Sequence, residues 1–360
     1  MNTPETDPIG AVDGGIAVIG GGILGARVAR ELLTPTATGA AAVGGVSIIS
    51  RRPDRVATLS ASFGPSAQVI GAPDGSAPVG AGVRTVVVAR AAGEQLEVAR
   101  AQLSEGRHVV TTSDDPAEVE ELLALDPLAR DAGVRLVVGA AMAPGLSCLL
   151  VRHASELLDH VDEVHLSRHG AAGPGCARQR LRALRGTALD WRGGEWVRRP
   201  GFSGRELSWF PDPIGARDCY RAALADPLVL VPALPGVTRV TARLAANRRD
   251  RALAPFPVLW PPPVEGGLGA VRIELRGDRE GRRETVVYGV LDRPAIAGAA
   301  TAAVAALALS AGDQGSGASG MAGMARCTPM LVELARRGVR AAVFEGSHAT
   351  PLVVAGSDPA

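Results

Sequence analysis

The sequence predicts an α/β fold in which a doubly wound parallel sheet is followed by a second α+β domain of mixed or antiparallel sheet. In residues 15–140, short β-rich runs alternate with helical segments of about ten residues or more, which is typical of a parallel sheet. Beyond residue 150, strand candidates follow one another between segments rich in Arg, Gly and Pro. A chain of 360 residues is long enough for two domains.

The first half contains five predicted strands, each a short run rich in β-branched residues: Ile16–Ile19, Val46–Ser50, Thr85–Ala89, His108–Thr112 and Val134–Val138. Helices are predicted after the first four strands, the last three of them at 54–63, at Glu94–Gly106 and from Ser113 to Ala132. Residues 34–45 and 64–82 are predicted as loops because Gly, Pro, Ser and Ala dominate them, apart from a short apolar piece at 67–70.

Five further strands are predicted in the second half: Glu163–Ser167, Leu228–Val231, Val237–Leu244, Val271–Arg276 and Thr285–Leu291. They are followed by an Ala-rich helix at Ala295–Ala311, a Gly/Ser linker at Gly312–Gly323, a helix at Thr328–Arg337 and a strand at Val339–Phe344. Ala inserts weakly into a bilayer and the Ala-rich run is short for a span. We therefore predict a buried helix there and no membrane partner.

Every one of the 38 basic side chains is Arg, because the sequence contains no Lys. This excludes a Schiff-base Lys, a Lys general base and the phosphate-binding loop GxxxxGK[ST]. The formal net charge is +1, yet residues 168–251 carry sixteen Arg against seven acidic residues. Such a segment suits an anionic small molecule, although a solvated Arg-coated surface is the alternative. Without Lys runs or interleaved aromatics it does not favour nucleic acid.

The four cysteines lie far apart and form no CxxC pair: Cys148, Cys176, Cys219 and Cys327. We therefore expect neither a disulfide framework nor a structural metal site, and a reducing, cytoplasmic location. Residues 1–10 are polar and lack an apolar run, so no secretory signal is expected.

Residues 20–25, GGGILG, fit the pattern GxGxxG. The motif follows a buried strand and opens a helix, which is the context of the Rossmann-type dinucleotide-binding turn. Gly20 permits the tight turn, Gly22 lets a pyrophosphate approach the backbone, and Gly25 lets the helix pack closely on the strand. The free N–H groups of the helix start would bind the phosphates. Cofactor contacts are therefore predicted at Gly20, Gly22, Ile23, Leu24 and Gly25.

The end of the second strand favours NADP over NAD. An NAD site places Asp or Glu there for the ribose hydroxyls, but this chain has Ser50, Arg51 and Arg52 with no carboxylate before Asp54. Arg pairs with a 2′-phosphate and stacks on adenine, whereas two solvated loop charges are the alternative. Ser50, Arg51 and Arg52 are thus predicted cofactor contacts, and the ends of the following strands add Ala89, Arg90 and Thr111.

The chain resembles the saccharopine dehydrogenase-like oxidoreductases, on the saccharopine reductase side of that family. The resemblance is carried by AVIGGGILGARVARELL (17–33), SRRPDR (50–55), HVVTTSDDP (108–116) and ARDAGVRLVVGAAMAPGLSCLL (129–150), and more faintly by the last helix and strand. It implies a Rossmann-type nucleotide domain at 1–147 and an α+β substrate and dimerisation domain at 148–294. It also implies closing elements at 295–345 that pack back on the nucleotide domain, a tail at 346–360, and a homodimer, which the family often forms.

The same resemblance implies where a substrate binds. Pro144 and Gly145 follow a strand end beside the expected nicotinamide, and Ser113 occupies a position that faces substrate in the family. Saccharopine-forming members carry Asp before this Pro-Gly and a Ser-Tyr pair, where this chain has Ala143 and Ser113-Asp114. The acid–base Lys of the lysine-producing branch is absent too. We therefore predict a substrate other than saccharopine.

Hydride transfer requires a proton source and a charge partner for the reacting group. The side chains suited to these roles cluster in residues 165–221, where His165, Arg168, Arg182, Arg185 and a Trp209–Arg221 run rich in aromatics also lie. From this cluster we predict Tyr220, His169 and Asp218 as catalytic residues, and Arg178 and Arg217 as ligands of a substrate carboxylate. A purely structural role is the alternative for each.

Three functions follow from this sequence. The first is an NADP-dependent oxidoreductase acting on an anionic, amino-acid-derived imine or carbonyl compound. The second is an enoyl-type reductase of a lipid-like substrate, which a wide apolar groove would favour over an Arg-lined pocket. The third is a non-catalytic NADP-binding sensor or assembly protein, which the missing substrate-facing Asp and the absent Lys keep open.

Overall fold

A computed structural model describes residues 15–36, 43, 45–76, 78–248, 250, 266–312, 314–345 and 348–352. The predicted loop at 34–45 and the predicted tail at 346–360 lie largely outside the described residues. The same is true of the start of the predicted nucleotide domain.

The strands are β1 Gly15–Ile19, β2 Val46–Ser50, β3 Ala67–Gly71, β4 Val83–Val88, β5 His108–Thr111, β6 Arg135–Val137, β7 His160–His169, β8 Thr187–Arg192, β9 Glu195–Pro200, β10 Glu206–Trp209, β11 Ala216–Arg221, β12 Arg239–Ala245, β13 Gly269–Arg279, β14 Arg282–Asp292, β15 Gly317–Ser319, β16 Ala341–Glu345 and β17 His348–Pro351. The helices are α1 Ile23–Leu33, α2 Pro53–Phe63, α3 Leu96–Ser104, α4 Pro116–Leu123, α5 Asp126–Asp131, α6 Leu146–Ser155, α7 Pro174–Arg185, α8 Asp226–Leu230, α9 Pro294–Ser310 and α10 Cys327–Arg336.

The first sheet is parallel throughout and runs in the order β15-β6-β5-β4-β1-β2-β3. From β3 to β6 this is the Rossmann order, in which the winding direction reverses between β1 and β4. Strands covered by helices on both faces are apolar along their whole length, and all four residues of Ile16–Ile19 are completely buried. The predicted doubly wound parallel sheet is confirmed.

The second sheet is mixed and contains the described strands outside the first sheet. Its main path is β10-β11-β12-β7-β13-β14-β16-β17, and β8 joins β12 and β9. Strands β7 and β12 are parallel, whereas the other pairs are antiparallel. The predicted α+β character of this half is confirmed, although strands β8–β11 and helix α7 have no counterpart in the sequence prediction.

Several predicted elements differ from the structure. The strand predicted at Leu228–Val231 is wrong, because Asp226–Leu230 is helix α8. A short apolar run that is buried on all sides fits a strand or a helix, and the Asp-Pro pair at its start is the helix signal. The single helix predicted from Ser113 to Ala132 is divided into α4 and α5, since Pro127 cannot donate to the helix ladder.

The closing segment is distributed over both sheets. Strand β15 forms inside the predicted linker and pairs with β6 of the first sheet, as expected for an element that packs back on it. Strand β16, predicted to do the same, pairs instead with β14 of the second sheet. The expectation for that last strand is therefore wrong.

The Ala-rich helix α9 lies against α1 and the first sheet. Its side chains from Ala297 to Leu309 are buried without a polar stripe, and small residues allow neighbouring backbones to approach closely. The predicted buried helix is confirmed. None of the helices in the described part of the chain is long and apolar enough to cross a membrane.

Candidate functional site

A cleft of about 560 Å³ separates the carboxyl ends of the first sheet's strands from helix α7 and the end of β7. In open α/β sheets this edge is where ligands bind, at the point where the winding reverses. The first sheet contributes the loops after β1, β4, β5 and β6. The opposite wall is formed mainly by residues 168–182. The lining includes Gly22, Ile23, Leu24, Ala89, Arg90, Gln95, Ser113, Asp114, Ala141, Met142, Ala143, Arg168, His169, Arg178, Arg180 and Arg182.

Three glycines shape the turn between β1 and α1. Gly20 has φ +138°, and a Cβ there would lie 2.3 Å from the carbonyl oxygen of Ala89. A Cβ on Gly25 would lie 1.8 Å from the carbonyl oxygen of Gly20. A Cβ on Gly22 would meet nothing within 4 Å. Gly20 and Gly25 are thus required by the protein itself, whereas Gly22 faces open space.

That open space lies at the start of α1. Gly22 is the N-cap residue, no side chain caps the helix, and no acidic residue lies in its first turn. Ile23 and Leu24 line the cleft. Free N–H groups and the positive end of the helix dipole form an anion site here, so the geometry fits the pyrophosphate of a dinucleotide.

Arg51 and Arg52, at the end of β2, are both ion-paired. Arg51 contacts Glu94, and Arg52 donates to Asp54 over 2.6 Å and 3.2 Å. The hydrogen bond from Arg52 lowers the pKa of the Asp54 carboxyl. The side chains of Arg51 and Glu94 are 46% and 41% exposed, and ion pairs at such exposure are weak. A phosphate could therefore replace either carboxylate at little cost.

The Arg51–Glu94 pair spans the end of β1, because β2 and β4 flank that strand in the sheet. Arg90, from the same loop as Glu94, donates to the carbonyl oxygen of Gly75 over 3.0 Å. The guanidinium groups of Arg51 and Arg90 are thus close enough to influence each other electrostatically beyond the ends of β2 and β4. The buried Ser50 hydroxyl accepts from the backbone N–H of Arg52 over 3.3 Å and fixes this strand end.

A buried hydrogen-bond network holds the loops after β4 and β5 together. The Glu118 carboxylate accepts from the backbone N–H of Gln95 over 2.6 Å and from the Ser113 hydroxyl over 2.5 Å. The Gln95 side chain accepts from Thr112 and donates to the Arg90 carbonyl. Ser113 therefore lines the cleft with its hydroxyl already engaged. Sequence reasoning missed Glu118 and Gln95, which act through backbone contacts that no motif reveals.

Asp114 and Arg168 meet at the deep end of the cleft. Arg168 donates to the carbonyl oxygen of Ala143 over 2.5 Å and to the Asp114 carboxylate over 3.4 Å. The Arg168 side chain is 14% exposed and the Asp114 side chain is 23% exposed. Burial raises the pKa of the Asp114 carboxyl, although the Arg168 charge opposes this shift. The predicted cluster contained Arg168, but its partnership with Asp114 depends on how the two sheets meet.

The predicted substrate contacts Pro144 and Gly145 lie behind the lining rather than in it. The bond between Ala143 and Pro144 is cis, and Gly145 begins α6 with φ +129°. A Cβ on Gly145 would lie 2.2 Å from the carbonyl oxygen of Ala141. These two residues shape the turn whose Ala141–Ala143 segment faces the cleft. Thr111 likewise supports this turn from below, since its hydroxyl accepts from the N–H of Gly139.

Helix α7 brings three arginines to the cleft. Arg180 is held by Asp250 over 2.9 Å and 3.0 Å and donates to the Ala245 carbonyl. The predicted ligand Arg178 and the neighbouring Arg182 lie one turn apart on the same helix face and both line the cleft. Neither makes an ion pair within the part of the chain that the structure describes. Their charges face a space that an anion could fill.

Three of the residues predicted for chemistry lie on β11, away from the cleft lining. Tyr220 is 5% exposed and packs edge-on against Phe202, with ring centroids 6.1 Å apart. Asp218 pairs with Arg205 over 2.9 Å, and Arg217 donates to the Ala216 carbonyl. The expected aromatic and acidic site of β11 is therefore not assembled at the cleft.

His169, the remaining predicted catalytic residue, does line the cleft. Its Nδ1 atom is shielded from solvent and has no hydrogen-bond partner among the described residues. Burial, followed by the charges of Arg180 and Arg217, lowers the pKa of the imidazole. This shift favours the neutral form of the His169 ring.

No protein-family model and no curated protein sequence matches the chain. Solved structures do match. Together with the cleft they define the class of fold, which is a Rossmann-type domain joined to a second, mixed sheet. More particularly, the chain is similar to saccharopine dehydrogenase (L-Glu forming) from Saccharomyces cerevisiae, with a TM-score of 0.66 and 14% identity over 92% of this chain and all of that one. It is also similar to DAP dehydrogenase of C. glutamicum in complex with DAP, with a TM-score of 0.50, 16% identity, and 87% and 94% of the two chains covered. The expected saccharopine dehydrogenase-like fold is thus confirmed.

Proposed function

We propose that this protein is an NADP-dependent oxidoreductase that transfers hydride to or from an anionic, amino-acid-derived imine or carbonyl compound other than saccharopine. One observation carries the proposal: a Rossmann-type glycine turn opens onto a cleft whose opposite wall presents arginines. The first feature fits a dinucleotide and the second fits a carboxylate. The two structurally similar proteins are named for saccharopine and DAP, which are amino-acid-derived compounds.

The first sheet would hold the cofactor. The start of α1, at Gly22, Ile23 and Leu24, would bind the pyrophosphate, and Arg51 and Arg52 would bind the 2′-phosphate after leaving their exposed carboxylate partners. When bound, the nicotinamide would supply or accept the hydride. The turn at Ala141–Ala143 and the side chain of Ser113 would border the reacting end, since they line the cleft beyond the glycine turn.

Helix α7 would hold the substrate anion. Arg178 and Arg182 are the guanidinium groups of the cleft that make no ion pair with a described residue, and they lie on one face of the helix. Bidentate pairing between a guanidinium and a carboxylate would orient the substrate. Saccharopine is disfavoured because Ala143 and Asp114 replace the residues that face it in the family.

The alternatives predict different behaviour. An enoyl-type reductase of a lipid-like substrate requires a wide apolar groove, whereas this cleft is lined by several arginines. A non-catalytic sensor would bind NADPH without oxidising it. The homodimer and the cytoplasmic location expected from the sequence stay part of the proposal, and light scattering in solution tests the first of them.

The reaction is tested by measuring NADPH oxidation with panels of 2-oxo acids, 2-oxo acids combined with amino acids, and enoyl thioesters. We expect turnover with a member of the first two panels. Turnover confined to enoyl thioesters would establish the second function, and tight NADPH binding without turnover in any panel would establish the third.

The cofactor is tested separately with NADPH and NADH titrations of the wild type and Arg51→Asp. We expect wild-type affinity to favour NADPH by about tenfold or more, and Arg51→Asp to remove that preference because a carboxylate would repel the 2′-phosphate. Arg100→Asp on α3 is the matched control, since Arg100 is 50% exposed and lies outside the cleft lining. Equal affinities in the wild type would contradict the assignment of Ser50, Arg51 and Arg52.

A further inference from the structure

Two carboxyl groups, those of Asp114 and Asp226, interact electrostatically with the Arg168 guanidinium. Arg168 donates to Asp114 on the cleft side. On its other side it lines a small void together with Asp226 and Ala143. Asp226 is 1% exposed and accepts from the Ser147 hydroxyl over 2.9 Å. This cluster of Asp114, Arg168 and Asp226 joins the loop after β5, strand β7 and helix α8.

The charges of this cluster do not balance when both carboxyls are ionised. Arg168 faces two enclosed carboxylates, because Arg243, the other arginine that lines the void, is paired with Glu206 over 2.7 Å. An uncompensated buried charge is costly. Burial raises the pKa of Asp114 and of Asp226, and the charge of Arg168 opposes both shifts. The charge of Asp114 raises the pKa of Asp226 further, and interacting carboxyls are described by the titration of the group rather than of each residue.

We propose that the Asp114–Arg168–Asp226 cluster retains one proton at neutral pH and exchanges it with the substrate at Asp114. The assignment rests on the function proposed above and adds to it the group that handles the proton. Asp114 is the member of the carboxyl pair that lines the cleft, whereas Asp226 is enclosed. Asp114 would thus be the catalytic residue and Asp226 a positioning residue that acts through Arg168.

The groups that face Asp114 from neighbouring elements support this choice. Asp115, the N-cap of α4, raises the pKa of Asp114 further through its charge. Cys176 on α7 lines the cleft, but burial and the nearby Asp114 charge raise the pKa of its thiol. Burial lowers the pKa of His169, at the end of β7, and so disfavours the protonated ring that would have to donate. Arg178, Arg180 and Arg182 are the charged groups that α7 adds to that wall.

The proton step balances with the proposed hydride transfer. In the reductive direction the C=O or C=N π bond breaks as its carbon accepts the hydride. The oxygen or nitrogen then forms its new O–H or N–H bond with the proton of Asp114. The carboxylate that remains regains a proton from water through the open side of the cleft. In the oxidative direction the Asp114 carboxylate accepts the proton.

The first arm of the test is the pH dependence of turnover on the substrate identified above. Asp114→Asn removes the exchanging group and is expected to lower reductive turnover about 100-fold or more. In Asp226→Asn the amide oxygen can still accept from the Ser147 hydroxyl, but one negative charge is removed. The Arg168 charge is then opposed by Asp114 alone. We expect the alkaline limb of the reductive profile to move to lower pH by about one unit.

The matched control is Asp190→Asn. Asp190 belongs to another enclosed Asp–Arg pair, with Arg221 at 2.9 Å, and does not line the cleft. Its removal is expected to leave the position of the alkaline limb unchanged. A limb that responds to His169→Gln and not to Asp226→Asn would overturn the assignment to Asp114.

The second arm needs neither cofactor nor substrate. Infrared difference spectra of the free protein, titrated across the neutral range, report the C=O stretch of a protonated carboxyl. We expect this band in the wild type and in Asp190→Asn, and its loss at neutral pH in both Asp114→Asn and Asp226→Asn. A wild type without the band, or a band that persists in both variants, overturns the proposal whatever the turnover data give. A band that behaves as expected in a protein without any turnover refutes the proposed reaction while upholding the proton of the cluster.

Discussion

The two walls of the cleft are built in different ways. The wall proposed to hold the cofactor, here called the cofactor wall, presents backbone at its glycine turn and helix start, where residues 20–25 offer N–H groups and lack Cβ atoms at the glycines. The substrate wall consists of charged side chains from β7, α7 and the loop after β5, which are distant in sequence. A site made of backbone is sensitive to substitution at only a few positions, and few residues are tolerated there. A site made of side chains can change its ligand through single substitutions.

The largest effect is expected on the cofactor wall, where two glycines test what the backbone requires. Gly25→Ala places a Cβ 1.8 Å from the Gly20 carbonyl oxygen and is expected to lower the free energy of unfolding by about 3 kcal/mol. Gly22→Ala, the matched control, should change stability by only about 0.5 kcal/mol yet weaken dinucleotide binding about tenfold. Urea unfolding and NADPH titration measure the two quantities. Equal destabilisation by both substitutions would contradict the separate roles given to these glycines.

A smaller but specific effect is expected on the substrate wall. Removing both charges with Arg178→Gln and Arg182→Gln should raise KM for the anionic substrate by about 30-fold, since charged hydrogen bonds contribute about 1.5–3 kcal/mol. The value of kcat should change much less, because these groups bind the anion in ground and transition states alike. Arg185→Gln, on the same helix but outside the cleft lining, is the control. Unchanged KM in the double variant would place the anion elsewhere in the cleft.

The free-energy cost of burying the two carboxyls should affect stability as well as turnover. Burial raises the folded-state pKa of Asp226 above its unfolded value, so the folded chain holds a proton that the unfolded chain releases. Stability should therefore fall as pH rises from the unfolded pKa, about 4, towards the raised folded value. Asp226→Asn should flatten this fall and gain on the order of 1 kcal/mol at neutral pH. Urea unfolding of the wild type and of Asp226→Asn, at mildly acidic and at neutral pH, measures this difference. If the free energy of unfolding changes with pH equally in the two proteins, the idea is mistaken.

The smallest effect concerns the ion pair that spans the end of β1. Glu94→Gln frees Arg51 from its exposed partner and is expected to tighten NADPH binding about twofold to threefold, because exposed ion pairs contribute roughly 0.2–1 kcal/mol. NADH binding should not change, since NADH lacks the 2′-phosphate. Isothermal titration with both nucleotides measures the difference. A gain shared equally by NADH would show that Glu94 acts on some other part of the nucleotide.

The accuracy of the sequence predictions follows the same division between the walls. The glycine turn could be read from GGGILG, and the parallel sheet from the alternation of short apolar runs and helices, because both depend on neighbours in sequence. Tyr220 and Asp218 were predicted for the site because scarce aromatics and acids cluster around them, but β11 turns them towards Phe202 and Arg205. Asp226 lies just before the segment Leu228–Val231, which was predicted as a strand but lies mostly in helix α8, so its approach to Arg168 could not be foreseen.

The sequence by itself determined the parallel sheet, its glycine turn and the absence of any lysine chemistry. These features depend on local backbone geometry and on residue inventory, which need no knowledge of distant contacts. Only the tertiary structure decided which charges share the cleft. It brings Arg168 to Asp114 and to a void that Asp226 also lines, while α7 places Arg178 and Arg182 in the cleft lining. The physical reason is that electrostatic interactions depend on distance and burial, and both are set by how the two sheets pack.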